Sequence, residues 1–166
     1  LLKIQSVDHE KIDFADYKAI IFTSSNAIKF LNLKDIDKNI LCFCVGEGTE
    51  KKAKNVGFQN VVSAEGNVRN LKELILQNFD KQNGKIIYVS GDMISTELDR
   101  ELLDEGINIY RLINYKTTHI KKFDERFVSE LKVNIPDIVY IYSRNSALSF
   151  LEFIKMNNIE NLWMNT

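Results

Sequence analysis

The stretch Ala19 to Leu31 sets the pattern for this chain: Ala-Ile-Ile-Phe, then Thr-Ser-Ser-Asn, then Ala-Ile-Lys-Phe-Leu. Consecutive apolar residues too few for a buried helix predict a buried strand. The hydroxyl and amide side chains after them favour a helix N-cap, and Ile28 and Leu31 keep helical spacing. Strand, tight polar turn and helix follow, which places the open N–H groups and positive dipole end of a helix just past the carboxyl end of a strand. The pattern recurs without a gap at Val139 to Leu151. There Ile141, Ala147, Phe150 and Leu151 repeat Ile21, Ala27, Phe30 and Leu31, while Tyr142 and Ser143 stand for Phe22 and Thr23.

Elsewhere Leu2, Ile4 and Val7 alternate with polar residues and predict a short exposed strand, followed by a charged connection. Ile40 to Val45 reads as a strand, Gly46-Glu47-Gly48-Thr49 as a turn into a helix, and Gly57 as the residue that ends that helix in a left-handed conformation. Val61-Val62 is a short strand, Asn67 a helix N-cap, and Leu71, Leu74, Ile75 and Phe79 one apolar helix face. Lys85 to Ser90 predicts a strand that breaks at Gly91-Asp92 before a helix carrying Leu98, Leu102 and Leu103. The run Ile107 to Thr118, alternating with Arg111, Asn114 and Lys116, is long enough to leave the domain body. Phe123, Phe127, Val128 and Leu131 give a further amphipathic helix that Pro136 stops.

Regular alternation of strands and helices marks an α/β body with a parallel sheet. The expected order is an incoming linker strand and connection over 1–13, a complete α/β domain over 14–112, an outgoing linker strand over 113–120, and part of a second α/β domain over 121–166. The two linker strands are expected to pair, so that the parallel-sheet domain is inserted into a second, similar α/β domain that is incomplete in this chain.

Length and composition narrow the class. A chain of 166 residues with 45% hydrophobic and 27% charged residues suits a globular protein, and at about 150 residues roughly 70% of the unfolded surface can be buried. No apolar run approaches the ~20 residues that cross a bilayer, so neither a membrane segment nor a signal peptide is expected; the chain opens on Leu1 rather than Met, which leaves room for a preceding segment. A net charge of −1 supplies no basic field for nucleic acid. Cys42 and Cys44, two apart on an apolar run, fit neither a redox Cys-x-x-Cys nor zinc spacing and read as buried thiols suited to a reducing cytoplasm.

Candidate chemistry lies where apolar strands end in small polar turns: Thr23-Ser24-Ser25-Asn26, Gly46-Glu47-Gly48-Thr49, Ser90-Gly91-Asp92 and Ser143-Arg144-Asn145-Ser146. In a parallel sheet such turns gather at the carboxyl edge, where open α/β sheets bind ligands. Each alone is more often simply a capped helix, and the four together weigh against that reading. Gly46-x-Gly48 lacks the third glycine of a dinucleotide fingerprint, no Gly-Lys-Ser/Thr loop is present, and His9 and His119 have no partners at metal-ligand spacing. Lys51, Lys52 and Lys54 read as a solvated helix face or as carboxylate partners.

Taken in order, Ile20-Ile21-Phe22-Thr23-Ser24-Ser25-Asn26-Ala27, Val45-Gly46-Glu47-Gly48-Thr49 with Gly57-Phe58, Tyr88-Val89-Ser90-Gly91-Asp92, Asn114-Tyr115-Lys116-Thr117 and Tyr142-Ser143-Arg144-Asn145-Ser146-Ala147 resemble the successive signature blocks of the uroporphyrinogen-III synthase family. The resemblance implies two α/β domains joined by a two-stranded ladder. It also implies that family members carry further units before Leu1 and after Thr166, so that this chain covers one whole domain, the ladder and a fragment of the other.

The implied reaction is the cofactor-free and metal-free cyclisation of hydroxymethylbilane, a linear tetrapyrrole with eight carboxylates, to the type III isomer with inversion of ring D and loss of water. The implied catalytic residue is Tyr115, matching the family's tyrosine proposed as proton donor, and its ordinary alternative is a tyrosine packing at the end of a strand. Thr23, Ser24, Ser25, Gly46, Thr49, Ser90, Gly91, Asp92, Ser143 and Asn145 are the expected substrate-binding residues. A monomer in the cytoplasm with a small-molecule substrate is expected. The rival reading is a non-catalytic α/β module that binds a phosphosugar or nucleotide through the same turns.

Overall fold

The computed structural model describes residues 1–120, 123–141 and 143–162. In chain order the elements are β1 (Leu2–Ser6), β2 (Tyr17–Phe22), α1 (Ser25–Lys29), β3 (Leu41–Val45), α2 (Glu47–Asn55), β4 (Val61–Ala64), α3 (Val68–Asn78), β5 (Lys85–Gly91), α4 (Leu98–Asp104), β6 (Asn108–His119), α5 (Glu125–Val133) and α6 (Arg144–Met156). The chain divides into two compact units, one over Gln5–Lys116 and the other built from Leu1–Ile4 with Thr117–Thr166. Among the described residues no helix is long and apolar enough to cross a membrane.

The larger unit is a doubly wound α/β structure, in which every pairing among β2 to β6 is parallel and the strand order is β6-β5-β2-β3-β4. Helices cover both faces. Because successive strand residues point to opposite sides, Ile20, Phe22, Cys42, Cys44, Ile87 and Val89 pack with Ala27 and Ile28 of α1 and Ala53 of α2. Ala19, Ile21, Phe43, Ile86 and Tyr88 pack on the opposite face with Leu71 and Ile75 of α3 and Leu98 and Leu102 of α4. Burial on both faces explains why the central strands read as continuous apolar runs rather than as alternation.

Several local expectations are met for the reasons given. Cys42 and Cys44 are free and fully buried on one face, with their sulfurs 3.8 Å apart; the hydrogen bond to Cys44 and burial push the Cys42 thiol far above its ordinary range. Asn67 caps α3 by accepting from the N–H groups of Arg69 and Asn70. Gly57 ends the α2 turn at φ 103°, a region costly for residues with a Cβ.

Three expectations are corrected. The helix after the first turn is only Ser25–Lys29, so that Leu31, although buried, lies beyond it. No helix opens directly on Ser90-Gly91-Asp92; α4 begins at Leu98, and its N-cap residue Glu97 makes no side-chain cap bond. The run Val139 to Ile141 is not a strand: Val139, Tyr140 and Ile141 are exposed, and Tyr142 lies outside the described residues. A strand exists only where a neighbour accepts its ladder, and no other strand accompanies this run among the described residues.

The smaller unit packs Phe153, Ile154 and Ile159 with Phe123, Val128 and Leu131, and the Phe123 and Phe153 rings meet edge to face at 4.6 Å. The ends of β1 and β6 run antiparallel, since Ile120 N–H donates to the Leu1 carbonyl while Val7 N–H donates to that of Asn114.

Phe43 is fully buried in the middle strand of the β2-β3-β4 side. Phe43→Ala is expected to lower unfolding free energy by about 3–5 kcal/mol, read as a shift of the urea midpoint at unchanged slope.

Candidate functional site

The winding of the sheet reverses between β2 and β5. From β2 the chain steps outward through β3 to β4, then returns to lay β5 against the other side of β2. Ligands of open α/β sheets bind outside the carboxyl ends of strands at such a reversal. Register makes those ends level: Phe22 stands opposite both Cys44 and Val89, so Thr23, Val45 and Ser90 are the next residues out. Thr23, Ser24, Ser25, Gly46, Thr49, Ser90, Gly91 and Asp92 therefore lie along one edge of the larger unit.

On the α3 and α4 side of the reversal, Thr23 Oγ1 and Tyr88 Oη are hydrogen-bonded at 3.0 Å. Burial raises the Tyr88 phenol above its ordinary value, an effect opposed by the Thr23 bond and by the nearby Arg111 guanidinium. Arg111, directly across the ladder from Tyr88, donates through Nε to Ser90 Oγ at 2.8 Å and through Nη2 to the carbonyls of Gly91 and Asp92 at 2.8 and 3.1 Å. This clamp on the loop after β5 was hidden in the sequence, where Arg111 is one more polar residue in an alternating strand. Its signal was position, four residues before Tyr115 on the strand that pairs with β5.

On the α1 and α2 side, Tyr115 lies only 8% exposed. Its ring packs at 6.2 Å from that of Phe30, and it lies so close to Gly91 that a Cβ there would meet Cε2 and Cζ at 2.6 Å. A bulge brings it there. Ser90 pairs with Ile113 but Gly91 pairs with Tyr115, so Asn114 is an extra residue in β6. Strict alternation from Ile109 would have put Tyr115 on the Arg111 side; the extra residue moves it to the side of Leu112. Asp92 N–H donates to the Tyr115 carbonyl at 3.0 Å, closing the ladder at this point.

The remaining expected residues are placed as follows. Ser24 caps α1 by accepting from Asn26 N–H at 3.2 Å, and its hydroxyl proton remains a donor. Ser25 is exposed in the first turn of α1. Gly46 caps α2 without a side-chain bond, and Thr49 is buried with its N–H donated to the Gly46 carbonyl at 3.1 Å. The Asp92 carboxylate is exposed and accepts from Met93 N–H at 2.8 Å. Ser143 and Asn145 belong to the smaller unit, where Ser143 Oγ accepts from Ser146 N–H at 3.1 Å and caps α6. Two hollows of about 320 Å³ each lie away from the carboxyl edge, one lined by Lys18, Leu41 and Phe79 at the amino ends of β2 and β3, the other by Lys11, Ile12 and Phe14. The carboxyl edge thus offers hydroxyls, backbone groups and a phenol.

Gly91→Ala is expected to displace the Tyr115 ring and cost about 1–3 kcal/mol. In a Tyr115→Leu background the same substitution costs less, which a double-mutant cycle by urea denaturation reads directly. Since Tyr88 is held above its ordinary value of 10.0 in the fold, its contribution to stability is complete below about pH 10 and is lost as pH rises through the folded-state value. Tyr88→Phe should therefore flatten the alkaline fall in the denaturation midpoint.

A solved structure of uroporphyrinogen-III synthetase from Helicobacter pylori 26695 is similar to this chain with a TM-score of 0.66 and 23% identity, covering 92% of this chain and 70% of that one. At that identity the likeness establishes the mixed α/β fold. No curated protein matches the sequence. A family model described as Uroporphyrinogen-III synthase HemD matches residues 2–165. The order of signature blocks, the doubly wound sheet and that match agree: the chain belongs to the uroporphyrinogen-III synthase family.

Proposed function

We propose that this chain is a uroporphyrinogen-III synthase, a cyclising lyase of tetrapyrrole (heme) biosynthesis that converts hydroxymethylbilane to uroporphyrinogen III. The observation that carries the reading is the convergence of Thr23, Ser90, Gly91 and Tyr115 at the winding reversal of the sheet, in a chain of this family. The rival reading as a phosphosugar or nucleotide module is not favoured.

The chemistry asked of the site is modest in force and strict in geometry. The hydroxymethyl oxygen must take a proton to leave as water, and the azafulvenium carbon so formed is attacked within the same molecule to give a spiro intermediate, whose rearrangement inverts ring D. Left alone, the substrate closes to the type I isomer. The protein must therefore hold a flexible polyanion in one conformation, and positioning of this kind is a large lever on rate. Tyr115 Oη supplies the proton: a phenol is a neutral donor near pH 7. Thr23, Ser24, Ser25, Gly46, Thr49, Ser90, Gly91 and Asp92 hold acetate and propionate arms through hydroxyl and backbone groups; a substrate-binding role for Ser143 and Asn145 rests on their motif.

In the architecture proposed here, the parallel-sheet domain is inserted into a second α/β domain through the β1 and β6 linker strands. In its support, one unit is the single stretch Gln5–Lys116 while the other draws on both ends of the chain. A cytoplasmic monomer suits a chain with two free buried thiols.

The test is isomer analysis of uroporphyrin formed from hydroxymethylbilane. The protein should shift the product from type I to type III, and Tyr115→Phe should slow type III formation by roughly one to three decades. An unchanged rate removes Tyr115 from the chemistry, and a pure type I product removes the reading altogether.

A further inference from the structure

We propose that Asn114 is the positioning residue that aims Tyr115 at the carboxyl end of β5, an inference that rests on Tyr115 being the proton donor. Asn114 is the extra residue of the β6 bulge and is fully buried. Its Nδ2 donates to the Ala27 carbonyl at 2.7 Å, across from strand to helix. That carbonyl lies at the end of the five-residue α1, where Leu31 N–H bonds Ile28 rather than continuing the turn onto Ala27. A helix end needs outside donors for its last carbonyls, and Asn114 supplies one.

The bond links the two things that place the phenol. Phe30, the C-cap residue of α1, lies against the Tyr115 ring, and the bulge decides on which face of the sheet that ring emerges. On its backbone side Asn114 is held too, its carbonyl accepting from Val7 N–H at 3.0 Å. A bulge is one register choice among others. With the amide anchored to α1 and the carbonyl to the chain after β1, slipping back to regular alternation would break both bonds and carry Tyr115 to the Arg111 side. Asn114 Oδ1 accepts from no described residue, so Asn114→Leu removes the donor, at nearly unchanged size, without removing an accepted bond; an aspartate buried here would take up a proton and donate in its place.

The experiment uses the full chain and two readouts. The first is the nuclear Overhauser contact between the Tyr115 ring and the Gly91 α protons, which requires no activity. The second is a kinetic cycle of Asn114→Leu and Tyr115→Phe, scored by type III uroporphyrinogen formed from hydroxymethylbilane. The expected result is loss of the ring contact and a fall in kcat of about 10- to 100-fold for Asn114→Leu, since a misplacement near 1 Å can cost up to about 100-fold. KM should stay within about twofold, and the fall should vanish in the Tyr115→Phe background, since residues acting as a unit are not additive. Asn114→Ala serves in the same cycle if the leucine variant does not fold. A retained ring contact, or an equal fall in kcat with Phe at 115, overturns the proposal. Loss of the contact in a protein whose Tyr115→Phe form is fully active supports the positioning role and overturns the proton-donor assignment instead.

Discussion

The level register of β2 and β5, at the point where the sheet reverses its winding, is the constraint on which the site depends. Both faces of these strands are covered by helices, so Ala19 to Phe22 and Ile86 to Val89 are buried almost without remainder and carry no charge. Polar chemistry is thereby pushed to where the strands end. At that end Thr23 meets Tyr88, Ser90 meets Arg111 and Gly91 meets Tyr115. A one-residue slip of β5 against β2 would exchange its two buried faces, mismatching both helix layers and carrying Tyr88 away from Thr23, so the core that stabilises the sheet is also what holds these polar pairs in place.

Much of the fold was legible because its signals are local. Apolar runs bounded by Gly, Asn and Ser, the Asn67 and Ser143 caps, the Gly57 turn and the paired thiols each follow from a few adjacent residues. What escaped depends on partners distant in sequence. Val139 to Ile141 has the composition of a strand, yet strand formation is decided by a neighbour that no local pattern reveals. Likewise the short α1 could not be separated from a longer helix by the spacing of Ile28 and Leu31, since Leu31 is buried with or without helical backbone.

The bulge in β6 is the instructive case. Alternation along Ile109, Arg111, Ile113 and Tyr115 reads as one continuous face, and nothing in that run marks Asn114 as supernumerary. The signal was a polar residue that the structure buries completely, which is rare unless its hydrogen bond is specified. Tyr115 was identified through its motif, but its face was decided by the residue before it. Arg111 was missed for a related reason: its three acceptors, Ser90 Oγ and the Gly91 and Asp92 carbonyls, all lie on the neighbouring strand and its loop.

Electrostatics ranks the turns along the edge. The first turn of α2 carries Glu47 and Glu50, which already occupy its dipole; Lys54 holds Glu50 below its ordinary carboxylate value, and Lys51 pairs with Glu47 on the exposed side. An anion arriving there meets two fixed negative charges against surface lysines whose ion pairs are worth little. At Thr23 to Ser25 the donors are neutral, and behind Gly91 stands the Arg111 guanidinium, half-buried and bonded to oxygens without an ion-pair partner among the described contacts. Along this edge the β2 and β5 ends therefore present a more favourable field to an anion than the β3 turn does. The arginine that holds the loop after β5 also supplies the positive charge at that end of the sheet.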